Sequence, residues 1–286
     1  MADPGKPANK DLRGKLDLAT LLGLICGVGG IVAGFSLEGG VIQELLQPTA
    51  ALIVFGGTLG AVMVTTPFRV LKSAVGALVS VFMERNLSPG EIVEEIIGYA
   101  TKARKNGIVS LEQDAEAVKD PFLRKALNLA VDGTDLQEIR KMMELEMVTA
   151  DRRAESLAKV FESAGGYAPT IGIIGAVLGL IQVMKHLENI DEVGKGIAVA
   201  FVATIYGVGS ANLFFIPAGN KIRARAQAAQ QLRELMLEGV SGIVEGLNPK
   251  LIRIKLEAYG DAEAQGRAKA RAQTGKGEAA AAAARS

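Results

Sequence analysis

The residues of this chain that could do chemistry inside its apolar stretches are few, and they are neutral. Thr170, Gln182, Thr204, Tyr206, Ser210 and Asn212 are the neutral polar side chains within two long apolar runs, Ala168–Met184 and Val193–Pro217. A hydroxyl, an amide or a freed helix carbonyl in such a setting can line the path of an ion, or can bond within its own helix. Past Lys195 at the outer flank, the interiors of both runs lack Asp, Glu, Lys, Arg and His. Passage of a proton or cation through lipid ordinarily needs an ionisable group, usually a carboxylate. If this chain conducts ions, the carboxylate has to come from another chain. Asp17, at the lip of an earlier apolar run, reads as a solvated end residue. Pro169 and Pro217 bracket the polar set, and each removes a helix hydrogen bond. They mark either hinges or the junctions where membrane helices meet their extensions. No catalytic triad, metal-ligand cluster or Gly-Lys-Ser/Thr phosphate loop is present, so an enzyme reading has no residues to stand on.

The elements that must hold these residues are four apolar stretches in two pairs. Leu16–Phe35 and Leu45–Thr66 form the first pair; Ala168–Met184 and Val193–Pro217 form the second. Each approaches the ~20 residues a helix needs to cross a bilayer, which predicts a polytopic, all-α membrane protein with two transmembrane hairpins. The chain has 32 basic and 31 acidic residues, so nothing in the net charge of +1 favours nucleic acid. Only Lys185 and Lys195 lie in or beside the short loops within the hairpins, and the other basic residues lie outside them. The positive-inside rule then places both termini and the central segment in the cytoplasm. The first run is too long, and too poor in cleavage signals, for a removed leader. Cys26, the one cysteine, follows a bulky Ile25 rather than a lipidation signal and reads as a small packing residue.

Six segments follow from this pattern: a polar, loose N-terminus (1–15), the first hairpin (16–66), a helical cytoplasmic domain (67–165), the second hairpin (166–217), C-terminal cytoplasmic helices (218–259) and a disordered Ala-rich tail (260–286). In the central domain Ser88-Pro89-Gly90-Glu91 has the pattern of a capping box with proline at the first helical position. Asn106-Gly107 and Gly133 are helix stops, and Asp120-Pro121 is a helix start. A long amphipathic helix opens at Thr134 and is expected to end at Ser163, where Gly165-Gly166 leads into the third span. Small residues recur at four-residue spacing, as at Gly23/Gly27, Gly30/Gly34, Gly172/Ala176, Gly175/Gly179 and Gly207/Ala211. Such stripes let helices pack closely in lipid and suggest an oligomer.

The run Ala168-Pro-Thr-Ile-Gly-Ile-Ile-Gly-Ala-Val-Leu-Gly-Leu180 resembles the third span of the MotA/PomA family of flagellar stator subunits. Ala198-Val-Ala-Phe-Val-Ala-Thr-Ile-Tyr-Gly207 and Asn212-Leu-Phe-Phe-Ile-Pro217 resemble the fourth span. Leu37-Glu-Gly-Gly40, Phe55-Gly-Gly-Thr-Leu-Gly60 and Ala103-Arg-Lys-Asn-Gly-Ile-Val-Ser-Leu-Glu112 match in order. The resemblance implies a multi-pass protein of the bacterial inner membrane, part of the flagellar basal body. It also implies a homo-oligomer, a pentamer, around a MotB/PomB-like partner that supplies the essential Asp. Ion flow would turn this ring and push the rotor protein FliG, with no cofactor. The same resemblance assigns Thr204, Ala176 and Tyr206 to the ion pathway and Pro169 and Pro217 to coupling. It assigns Arg104, Lys105 and Glu112 to the rotor contact, although their places at helix ends also suit ordinary capping charges. Gln113 stands where some relatives carry a second acid. Sodium-type relatives often have Thr where this chain has Ala176, so the ion implied is a proton rather than sodium. The alternative is an ExbB/TolQ-type force-transducing subunit, whose relatives generally have three spans. A solute transporter would show inverted repeats and broken helices, which the two hairpins do not.

Overall fold

The computed structural model describes residues 15–84 and 88–258, which are helical almost throughout. Four helical stretches are long and apolar enough to cross a membrane: Leu18–Leu37, Ile42–Thr65, Leu136–Lys185 and Ile190–Val244. They carry the four apolar runs, and the all-α, four-span class holds. Between the helices lie short turns, and the strand pairing among the described residues is a two-residue antiparallel one of Lys15–Leu16 with Met83–Glu84. The loose N-terminus, apart from Lys15, and the disordered tail lie outside the described residues. The described residues divide into two compact units, 15–84 with 151–226 and 88–150 with 227–258.

In the first unit, Asp17 caps the first span by accepting a hydrogen bond from the Thr20 amide at 3.1 Å. No residue of the helix Leu18–Leu37 is buried, and Cys26 is exposed rather than packed as expected. A helix apolar on every face suits lipid or another chain, and little of it is needed by its own chain. The second span begins unevenly. A single turn, Ile42–Leu45, breaks at Leu46, and Pro48 restarts the helix. A wide π turn at Leu52–Gly56 follows before Gly57–Thr65. Beyond Pro67 the amphipathic helix Phe68–Phe82 packs Ala74 and Val81 into a core with Val62, Phe161 and Ile222.

One expected break is absent. The helix Leu136–Lys185 runs through Gly165-Gly166 without interruption. Glycine costs a helix about 1 kcal/mol relative to alanine, but Gly165 serves packing: a Cβ there would lie 2.6 Å from Ile216 Cγ1. At Pro217, read as a hinge or as a junction with an extension, the chain stays helical. Asn189 caps Ile190–Ser210, a π turn spans Ala211–Phe215, and the helix resumes as Ile216–Val244. The wider turn leads into the proline that has no N–H to give, so the chain remains helical past it.

The second unit is built from helices whose ends match the sequence signals. Pro89–Asn106 stops at Gly107, whose φ is +83°. Asp120 accepts hydrogen bonds from the Phe122 and Leu123 amides at 2.9 and 3.0 Å and starts Pro121–Val131. Gly133, at φ +75°, turns the chain into the long helix. The Ser88 side chain makes no cap bond; it is exposed, where water can serve the first amides instead. Ile96, Leu111, Leu123, Leu127, Met143 and Met236 form the centre of the core.

Candidate ion-path and coupling site

The third and fourth spans meet through backbone rather than side chains. A Cβ on Gly172 would lie 2.9 Å from the Ala203 carbonyl oxygen, and one on Gly179 would lie 2.7 Å from that of Gly196. From the other side, a Cβ on Gly207 would lie 2.5 Å from the Ala168 carbonyl oxygen. This contact positions the candidate residues. The Thr204 Cα packs within 3.5 Å of the Cβ position of Gly172, and Ala176 lies one turn beyond Gly172 on the third span. Both are half-buried. The Thr204 hydroxyl donates to the Ala200 carbonyl at 3.2 Å, which leaves its lone pairs free to accept or coordinate. Flanking them on the exposed face are Ile173, Val177, Phe201, Ile205 and Val208, an apolar surface for lipid or another chain.

Tyr206 does something the sequence did not suggest. Its hydroxyl donates to the Leu45 carbonyl and accepts from the Gln47 amide at 3.3 Å, while its ring stacks on Phe55 with centroids 5.8 Å apart. Leu45 and Gln47 flank the break before Pro48, where helical hydrogen bonding is interrupted. In lipid such backbone groups need a partner from the protein, and this hydroxyl supplies it. The exchange Tyr206→Phe is expected to destabilise the purified protein by about 1–2 kcal/mol, read as a lower melting temperature in detergent.

Pro169 is half-buried inside the third helix, one residue after Ala168, whose carbonyl faces Gly207. Pro217 is exposed just after the π turn. Within that turn Asn212 donates to the Val208 carbonyl at 2.9 Å. Both prolines therefore border the two spans on one side of the glycine contact. In the second unit, Arg104 and Lys105 lie in the last turn of Pro89–Asn106, and Glu112 in the first turn of Glu112–Ala117. All three are exposed, and among the described residues none has an ion pair. The nearby pair is Lys102–Asp114 at 2.5 Å, which joins the same two helices and leaves Arg104, Lys105 and Glu112 unpaired.

The profile described as Motility protein A N-terminal matches residues 21–106, and that of the MotA/TolQ/ExbB proton channel family matches residues 114–235. Motility protein A of Bacillus subtilis is 36% identical over 245 residues, covering 85% of this chain and 91% of that protein. The chain belongs to the motility protein A family. The solved structure of C. jejuni MotAB superposes with a TM-score of 0.82 at 31% identity, covering 85% of this chain and 96% of that one. The flagellar MotAB stator complex of B. subtilis gives 0.79 at 36% identity, covering 84% and 95%. This MotA-family chain is thus a membrane-embedded protein with the four-span plan.

One polar centre of this MotA-family protein departs from the sequence expectation. Asp17 is only 7% exposed and is not a solvated end residue. Its carboxylate meets Lys221 Nζ at 2.6 Å and Arg225 Nη2 at 2.7 Å, and its amide donates to the Phe82 carbonyl at 2.9 Å. Arg225 also donates to the Met83 carbonyl. Asp17 therefore ties the start of the first span to the end of Phe68–Phe82 through its amide and to the extension of the fourth span through its carboxylate. The Lys221 hydrogen bond above all, with the Thr20 amide and Arg225, holds the Asp17 carboxyl well below the usual carboxylate range despite its burial. On the same extension Arg223 is clasped by Glu155 at 2.8 Å and Glu162 at 2.5 Å.

Proposed function

We propose that this chain is the MotA-type subunit of a flagellar stator, which turns an ion-motive force into torque for motility. The observation that carries the reading is a two-span contact that brings Thr204 and Ala176 to one region and contains no ionisable side chain. Such a surface needs a carboxylate from a second chain to pass ions. The solved relatives are MotAB assemblies, which supports a MotB-like partner as its source. In this reading Thr204, Ala176 and Tyr206 border the path, with Tyr206 acting by holding the Leu45–Gln47 turn in place. Ala176, which offers no hydroxyl to replace sodium's hydration shell, favours protons. The chain forms a pentameric ring in the bacterial inner membrane with both termini in the cytoplasm. Pro169, next to Ala168 in the glycine contact, and Pro217, past the π turn, couple ion binding to motion. Arg104, Lys105 and Glu112, exposed and unpaired, meet the rotor protein FliG.

The test is to delete the gene in a strain with no other stator and to complement it with the wild-type chain or with Thr204→Val. The deletion is expected to leave flagellar filaments that do not turn. Wild type restores swimming, and Thr204→Val assembles normally yet swims at least about tenfold more slowly, since the isosteric change removes only the hydroxyl. Normal swimming in the deletion would overturn the stator reading. Normal swimming with Thr204→Val would remove Thr204 from the ion path.

A further inference from the structure

The second unit contains a cleft of about 360 Å³ between two helical faces of matching spacing. One face carries Arg140, Glu144 and Val148, and the other carries Gln230, Glu234 and Glu238, each at intervals of four residues. Met147 and Leu237 close the floor and are buried. Glu238 is already answered by Arg140 at 3.4 Å and by Lys255. Glu144 and Glu234 are not buried and have no ion pair among the described residues. The Gln230 Oε1 atom is buried without a donor. The cleft thus presents two free carboxylates and one orphaned acceptor around an apolar floor, and it calls for a cationic segment that donates hydrogen bonds.

The chain itself has such a segment. Between Gln265 and Lys276 it carries Arg267, Lys269, Arg271 and Lys276 and no acid. Its cations Arg267, Lys269 and Arg271 alternate with the small residues Ala268 and Ala270. Its attachment is close to the cleft. Lys255, on the helix over residues 249–258, already pairs with Glu238 on the cleft wall. The nine residues from Ala258 to Arg267 can reach up to about 30 Å, more than the ~12 Å length of the eight-residue helical faces. An anionic membrane is a poorer match for residues 265–276, because they lack a large apolar residue to insert and offer charge alone.

We propose that the basic segment Arg267–Lys276 docks in this cleft of its own chain, with its cations on Glu144 and Glu234 and a donor on Gln230 Oε1. The cleft is then an intramolecular docking site for the C-terminal tail, independent of whether the chain drives a flagellum.

Disulfide trapping in the full-length protein, in nanodiscs containing anionic lipid, tests this. Cys26 is replaced by Ser, and Val148→Cys on the cleft is paired with Ala270→Cys in the tail. Val109→Cys, exposed and outside the cleft, is the control partner. After mild oxidation, mass spectrometry is expected to find at least about fivefold more intrachain linkage between the cleft and tail cysteines than in the control pair. Changing Glu144 and Glu234 to Gln together should return it to control, as should Arg267→Glu, Lys269→Glu and Arg271→Glu combined. Trapping equal to the control overturns the proposal and leaves the lipid surface as the holder of the tail. Linkage between two copies overturns it in favour of docking on a neighbour. Trapping that survives loss of both carboxylates shows that charge does not hold the segment, and overturns it too.

Discussion

Gly207→Ala, the smallest possible enlargement of a side chain, is expected to prevent the second hairpin from packing and to abolish recovery of assembled protein. The added Cβ would lie 2.5 Å from the Ala168 carbonyl oxygen, 3.0 Å from the Gly172 Cα and 3.2 Å from the Ala168 carbonyl carbon. These are backbone atoms of a neighbouring helix, so no rotamer change can make room. The two spans would have to separate at the point where Gly172 and Gly207 face each other. In lipid that separation is not opposed by water, because close packing is itself the force that joins the helices. Overpacking of this kind costs about 3 kcal/mol or more, a large fraction of the net stability of a typical domain. Gly209→Ala is the control. It lies on the same span, two residues away, and a Cβ there would meet nothing within 4 Å. Expression of both variants followed by gel filtration in mild detergent separates the cases: Gly209→Ala should elute as wild type, and Gly207→Ala should be aggregated or missing. Equal behaviour of the two would show that the helix contact tolerates widening.

That asymmetry between two glycines also shows where the sequence stopped being readable. The apolar runs placed all four spans, because length and hydropathy are local quantities. The signals at Asp120-Pro121, Gly107 and Gly133 were local too, and the structure uses each of them. Glycine spacing marked small faces without saying which are used: Gly23, Gly30 and Gly34 meet nothing within 4 Å in this chain, whereas Gly172, Gly179 and Gly207 touch a partner helix. Gly165-Gly166 read as a stop and Pro217 as a hinge or junction because isolated helices are weakened there. Burial against Ile216 in one case and a π turn in the other kept the helices going. In the candidate site, the polar inventory and the lack of a carboxylate came from the residues themselves. The assignments of Ala176, Arg104, Lys105 and Glu112 came from family resemblance, since an exposed charge or a small side chain has no local signature of its task. Tyr206 and Asp17 bond to groups far away in the chain, and no periodicity could have paired them.

Asp17 gives the second large effect: Asp17→Asn is expected to lower the stability of the folded protein at neutral pH by about 3 kcal/mol. Asparagine is isosteric and can still cap the helix at Thr20, so the exchange removes the charge and little else. What it leaves behind are Lys221 and Arg225, about a third and a quarter exposed, converging on a site without an anion. Their partial exposure puts the cost at the lower end for breaking a buried pair. The sign of the pH dependence follows from the direction of the shift. The folded-state pKa of Asp17 is depressed, so its contribution is complete above the unfolded value of about 4. It is lost as pH falls from there toward the folded value. Between pH 8 and 5 the melting temperature of wild type should therefore exceed that of Asp17→Asn by a constant margin. Below about pH 4 the two curves should begin to converge, and the margin closes as pH nears the depressed folded value, where acid neutralises in one protein what substitution removed in the other. Thermal denaturation in detergent across this range measures both features. Identical melting temperatures at pH 7 would mean that water replaces the carboxylate around Lys221 and Arg225. A margin that persists unchanged at pH 3 would place the effect in packing rather than charge.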